Sequence, residues 1–367
     1  MTKPSSRTPT PCSPASGDAF GNASLPDTTD AIAHAWAQVG AALSPHPDCP
    51  LPTWAGGGDT LHQHLIVIGT GHEGDIVGQL RHLETAAARF GKVGFVGPAN
   101  VRRLVEWSLG DRVVVLSRMP RDVSDWDLRC ALGALARTLG PHAAAAHAGM
   151  PHLRVAATSA RHWRDRLAAS AQHGLCVGIA WPGVTAGTQR AGMGTTPDDA
   201  AAFGRSPASA NAADQSTELA GLARLTALTP LIPLLAVPGV SWVPLGTHAH
   251  AVTDATPPSR VDWIDWRADC DDLADEAALI DNLDLVISLD IARTHLAGGL
   301  GVPVWHVDAS AQSAVIGYAQ MRLFGAPAAN AANAGKAGKA ANDWRDAVEA
   351  AAQALHSLSA EFQGWTR

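Results

Sequence analysis

The sequence predicts an α/β protein made of two doubly wound halves, and three observations carry that prediction. First, short unbroken runs of β-formers recur along the chain. Such runs, as opposed to apolar/polar alternation, mark parallel strands buried on both faces. Second, helical patterns follow most of these runs, as a parallel sheet with crossover helices requires. Third, the alternation stops and restarts near Leu175, so there are two such series. The length of 367 residues with 46% apolar content gives each series enough material for a core.

In chain order, residues 1–28 are rich in Ser, Pro and Thr and read as a disordered tail. Residues 29–60 hold an amphipathic helix, with Ile32, Trp36, Val39 and Leu43 at helical spacing, and then a Pro/Gly linker from residue 44. The first half, residues 61–173, reads as strand "HLIVIG" (His64 to Gly69), helix Asp75 to Phe90, strand "KVGFVG", helix "NVRRLVEW" and strand "DRVVVL". The second half, residues 174–325, reads as strand "LCVGIAW", helix Glu218 to Ala236, strands "VSWVPL" and "VDWIDW", and helix Asp272 to Asn282. A Gly/Ala/Ser/Thr insertion over 184–217 interrupts it; unstructured loops of that length are usually lids or disordered insertions. Residues 326–367 form a linker and a last helix, Trp344 to Leu358. Two Rossmann-like halves facing each other enclose a cleft, the usual place for a ligand.

One stretch is more informative than the rest. In "LVISLDIARTHLAGGLGVPVW" (Leu285 to Trp305), a buried parallel strand runs into a helix starting at Asp290 or Ile291, and Gly301 and Pro303 end that helix before strand "VPVW". The free amides and dipole at such a helix start favour an anion, and a phosphate fits there.

Composition excludes several classes. Net charge is −7 with the basic residues scattered, which argues against nucleic acid as a partner. No apolar run resembles a signal peptide or a membrane span, so the expectation is a cytoplasmic protein. Five cysteines without CxxC spacing read as reduced thiols, not as a disulfide framework or a zinc site. The pairs His62/His64 and His248/His250 lack a third ligand at suitable spacing, so no metal is expected. "GTGHEG" follows a strand and opens a helix, but it lacks the dinucleotide spacing, and no acidic residue ends "KVGFVG" to hold a ribose. The twelve tryptophans, Trp263 and Trp266 included, read mainly as core.

The second half resembles the C-terminal domain of glycosyltransferases related to the lipopolysaccharide heptosyltransferases, especially the bacterial group fused to tetratricopeptide repeats. The resemblance rests on Asp290, Ala292, His295, Leu296, Ala297, Gly298, Leu300, Gly301, Pro303, Val304 and Trp305, which stand in that family's register. "DEAALIDNLDLVIS", "GIAWPG", "LIPLLAVPGVSWVPL" and "MRLF" follow its order and spacing, and "GTGHEGDIVGQLRHL" is similar to its N-terminal "GD" motif. The likeness spans roughly residues 64–358 and is thinner in the first half.

The resemblance implies a GT-B architecture and an inverting, metal-independent glycosyl transfer that needs no cofactor. It places a nucleotide-diphosphate sugar on the C-terminal half and a glycan or protein acceptor on the N-terminal half. Asp75 would be the base that deprotonates the acceptor hydroxyl, with capping of its own helix as the plainer role. The amides of Ile291, Ala292 and Arg293 would cradle the leaving diphosphate, with His295 one turn in, cationic or as a neutral donor. Asp290 suits a cap better than a phosphate contact, His295 reads otherwise as a hydrogen-bonded core histidine, and Arg293 as a solvated charge. Trp181, Gly183 and Leu245 fall in donor-side motifs that depart from the family's. Its "W-A-G-N" is Trp181 to Val184, its "S-L-Q" is Pro244 to Gly246, its basic residues before "S-x-P-L" are Asp214 to Thr217, and its threonine is Ile291. Arg190 or Arg205, on the insertion, are candidate substitute cations. A glycosyltransferase-like binding or regulatory protein without transfer is the alternative reading.

Overall fold

The computed structural model describes residues 49–141, 149–181, 231–246, 260–308, 317–325 and 337–363. The amphipathic pattern over residues 32–43, Gly183, the insertion with Arg190 and Arg205, and the pair His248/His250 lie outside the described residues.

The first sheet has four parallel strands: β1 (His64–Ile68), β2 (Lys92–Val96), β3 (Val114–Leu116) and β4 (Leu128–Ala131), in the order β3-β2-β1-β4. Between β1 and β2 the expected single helix is two, α1 (Glu73–Gln79) and α2 (Arg81–Arg89), meeting at Leu80. Helix α3 (Ala99–Leu109) joins β2 to β3, and α4 (Leu132–Leu139) follows β4. Strand β4 has no counterpart in the sequence reading, since "LRCA" is short and carries Arg129. Part of the Pro/Gly linker belongs to this half as well. Trp54 donates its backbone N–H to the Arg129 carbonyl at 2.8 Å, and Cys49, Leu51 and Trp54 are buried.

After α5 (Ala157–Ser170), the second sheet contains β5 (Leu175–Ala180), β6 (Val240–Pro244), β7 (Asp262–Trp263), β8 (Leu285–Ser288), β9 (Val304–Asp308) and β10 (Met321–Gly325). All are parallel, in the order β10-β9-β8-β5-β6-β7. That is the doubly wound order of dinucleotide-binding sheets, with the chain reversing direction between β5 and β8; ligands sit outside the carboxyl ends of strands at such a point. Helix α6 (Ile232–Leu235) precedes β6, α7 (Leu273–Ile280) precedes β8, and α8 (Ile291–Leu300) links β8 to β9. The last helix, α9 (Ala337–Gln363), is longer than the sequence reading and lays Ala347, Val348, Ala351 and Leu355 against the second sheet.

The central strands of the second sheet are almost wholly apolar because both faces are covered: β5 and β8 are buried at every residue. One apolar core runs across the seam between the halves, where α1 packs on α8 and α3 on α7. Helix α5 lies in sequence within residues 61–173, yet it packs on α7. Trp163 meets Trp266 at 5.6 Å, and Asn282 Nδ2 donates to the Ala160 carbonyl at 3.0 Å. No helix among the described residues is long and apolar enough to cross a membrane.

Candidate active site at the seam between the sheets

Strand β8 delivers the chain to α8 through a short polar hinge. Ser288 Oγ donates to the Asp290 carbonyl at 2.6 Å and accepts the Asp290 N–H at 3.0 Å. Asp290 then caps α8, its carboxylate accepting the Ala292 N–H at 2.8 Å, so the helix starts at Ile291. At the far end Gly301, at φ +84°, closes the helix. Its N–H reaches the Gly298 carbonyl and that of Val302 the Ala297 carbonyl, the pairing that a left-handed glycine makes possible. The cap has a chemical consequence: the Ala292 amide expected to hold phosphate already serves the Asp290 carboxylate.

Helix α1 comes unusually close to this start. A Cβ on Gly74 would lie 2.7 Å from Ile291 Cγ2 and 3.1 Å from the Ala292 nitrogen, and one on Gly78 would lie 2.8 Å from the His295 ring. Only hydrogen at both positions permits that approach. Asp75, next to Gly74, is exposed at this joint. It sits in the first turn of α1, whose cap position is His72, and its carboxylate accepts the His72 backbone N–H. Partial burial raises the Asp75 carboxyl above its ordinary range, and His72 opposes that shift.

Arg293 differs from its sequence reading. It is neither a solvated charge nor open to a phosphate: it is 3% exposed and held by three carboxylates. Glu276 of α7 takes it with both oxygens, at 3.0 and 2.8 Å; Glu73 of α1 lies 2.6 Å away and Asp290 3.2 Å. The reason is its place in the first turn of α8, on the side facing the seam. Burial disfavours its charge, but the carboxylates outweigh burial and drive its pKa further up, so it stays a cation. Glu276 also accepts the Gly246 N–H at 2.7 Å, tying the end of β6 into the cluster. Glu73 and Glu276 were not singled out in the sequence. Burial raises the Glu73 carboxyl despite Arg293, aided by Glu276 and Asp290.

His295 is not cationic. Its ring lies against Gly78, and its Nδ1 is 2.9 Å from the Tyr318 hydroxyl. Burial, then Arg81, His152 and His306, push it down to about 3. The folded state therefore keeps a neutral imidazole, whereas the unfolded chain takes up a proton near pH 6.5. The sign is fixed: this contribution to stability is complete above pH 6.5 and is lost as pH falls from 6.5 toward 3. His295→Gln is expected to flatten the acid side of the stability curve, read by urea titrations at pH 7 and pH 5. Identical slopes in the two proteins would mean that the imidazole is solvated.

Among the donor-side residues, Trp181 and Leu245 are buried at the carboxyl ends of β5 and β6, and the Leu245 N–H bonds the Ile179 carbonyl at 2.8 Å. Arg267, which the sequence did not suggest, lies 5.6 Å over the Trp181 ring and is paired with Asp265 at 2.6 Å. Arg81 and Arg103 near the seam are also engaged. Arg81 donates to the Gly78 carbonyl at 2.8 Å, and Arg103 reaches Asp272 at 2.6 Å and Asp275 at 2.5 Å.

Comparison with solved structures identifies the architecture. A glycosyl transferase family 9 protein from Veillonella parvula superposes with a TM-score of 0.50 at 11% identity, over 83% of this chain and 99% of that one. E. coli ADP-heptose lipopolysaccharide heptosyltransferase II gives 0.42 at 14% identity, over 71% and 90%. E. coli heptosyltransferase WaaC with ADP gives 0.37 at 13% identity, over 82% and 99%. No model of a known protein family and no curated protein matches the sequence. At such identities the likeness concerns the fold: two doubly wound parallel-sheet halves in the GT-B arrangement.

Proposed function

We propose that the chain is an inverting, metal-independent glycosyltransferase that moves a sugar from a nucleotide-diphosphate sugar to an acceptor hydroxyl. The observation that carries this reading is Asp75, an exposed carboxylate with a raised pKa at the point where the starts of α1 and α8 meet. A raised carboxyl is a stronger base than an ordinary aspartate, as removal of a hydroxyl proton demands. In the proposed reaction the acceptor lies on the first half, and Asp75 takes its proton as the oxygen attacks the anomeric carbon. The carbon–oxygen bond to the diphosphate breaks, and the α8 start receives the developing charge. Trp181, Leu245 and Gly183 line the nucleotide side in this reading, and Arg190 or Arg205 supplies the cation that Arg293, already paired, does not.

A second reading, a nucleotide- or glycan-binding protein without transfer, is favoured by one observation. The α8 start is flanked by Asp290, Glu73 and Glu276, and its buried guanidinium is fully engaged. Titration calorimetry with a panel of nucleoside diphosphates, together with release of the diphosphate from sugar donors, separates the two. Binding with turnover supports transfer, binding alone supports the second reading, and neither sinks both. A refinement follows from Ile291, which is 41% exposed beside Gly74. Ile291→Thr adds a hydroxyl at the α8 start and is expected to tighten diphosphate binding by about 1 kcal/mol, the size of one net hydrogen bond. Unchanged affinity would place the diphosphate elsewhere.

A further inference from the structure

We infer that the Glu73–Arg293 ion pair is the tie that seats α1, and with it Asp75, on the start of α8, which makes Glu73 and Arg293 positioning residues. The part of this that concerns transfer rests on the function proposed above.

The contact between α1 and α8 is close. On the α1 side it includes Gly74 and Gly78, whose lack of a side chain lets Ile291, Ala292 and His295 come against the backbone of α1. Dispersion across such a contact is made of many small, non-directional contributions. A charged link is added by Glu73 and Arg293 at 2.6 Å, and both ends are held from within their own half. The other Glu73 oxygen accepts from Asn100 Nδ2 of α3 at 2.8 Å. Arg293 is gripped by the two oxygens of Glu276, and its remaining nitrogen, which donates to Asp290 at 3.2 Å, also lies 2.6 Å from Glu73 across the seam. Two side chains, each held in a separate half and meeting as an ion pair, set one half against the other.

Charge count points the same way. Glu276 and Asp290 already supply two carboxylates to one guanidinium, so Glu73 is surplus to neutralisation and is desolvated at a cost. Its place two residues before Asp75, in the same turn, means that a shift of Glu73 carries Asp75 with it. Glu276 adds the Gly246 N–H to the same assembly, so α1, α8 and the end of β6 share one anchor.

The test compares wild-type protein, Glu73→Ala, Arg293→Met and the double variant by amide hydrogen exchange, calorimetry with nucleoside diphosphates and turnover of sugar donors. Glu73→Ala leaves Arg293 with two carboxylates, so this variant is expected to fold and can decide the matter if Arg293→Met does not. Exchange over residues 73–80 is expected to quicken about tenfold in Glu73→Ala, while β1 and β8 stay protected. The double variant is expected to be no faster than the faster single, as for partners in one interaction. Turnover is expected to fall about tenfold with the nucleotide dissociation constant unchanged, because the nucleotide is bound by the other half. Exchange within twofold of wild type overturns the tie, and faster exchange with unchanged turnover overturns the positioning role. If the wild type neither binds nucleotide nor transfers sugar, the proposed function fails, while the exchange comparison still decides whether the pair seats α1.

Discussion

Asp75→Asn is expected to lower turnover by about two to four powers of ten, the range for loss of a general base, with nucleotide affinity unchanged. The substitution is a clean one here. Asparagine keeps the size of the side chain and an oxygen that accepts the His72 N–H, so the start of α1 is preserved and only the basicity is removed. A pH profile adds an independent readout. The mechanism needs the ionised carboxylate, so wild-type activity is present above the Asp75 pKa and is lost as pH falls through it. Because burial raises that pKa, the acid limb should lie above 3.8, the ordinary aspartate value. Asp75→Asn should lack this limb. Turnover within threefold of wild type would remove Asp75 from the chemistry and leave it as the residue that caps the start of α1.

The parts of this fold legible in the sequence are those whose signal is local. Strands β1, β5 and β8 declare themselves as unbroken apolar runs, and Gly301 announces the end of α8. What escaped has a weak local signal. Helix α5 buries only Ala160, Trp163 and Leu167 of its fourteen residues, so charged positions swamp its pattern. Strand β4 is a pairing of four residues, and Cys49, Leu51 and Trp54 pack from within a stretch whose Pro and Gly read as linker. The site divides the same way. Asp290 as a cap follows from one residue and its neighbours. The cluster around Arg293 does not, because Glu73, Glu276 and Arg293 lie on three helices far apart in sequence. A single chain shows each only as a surface charge. One clue was present: Glu276 stands among Ala274, Ala277 and Ala278, where a solvated helix face would carry further polar groups.

Arg293→Met should have the largest effect on stability. It removes the one guanidinium at which Glu73, Glu276 and Asp290 converge, in a site where Arg293 and Glu276 are each 3% exposed. Breaking a buried pair by deleting one partner costs about 3–5 kcal/mol, and domains are stable by only about 5–15 kcal/mol, so the variant is expected to be marginal at neutral pH. Urea denaturation measures the deficit, and its pH dependence identifies the cause. Glu73 already has a raised pKa with Arg293 present, and withdrawing the cation raises it further. Between the ordinary value of 4.5 and the raised one, the folded state then binds more protons than the unfolded chain, so stability rises as pH falls. The deficit should therefore be larger at pH 8 than at pH 5. The opposite slope contributed by His295 is common to both proteins and cancels in the difference. Arg293→Lys should fall between the two, since an ammonium keeps the charge but cannot match both Glu276 oxygens while reaching Glu73. A deficit below about 1 kcal/mol, equal at both pH values, would be that of a solvated surface pair and would contradict the buried cluster.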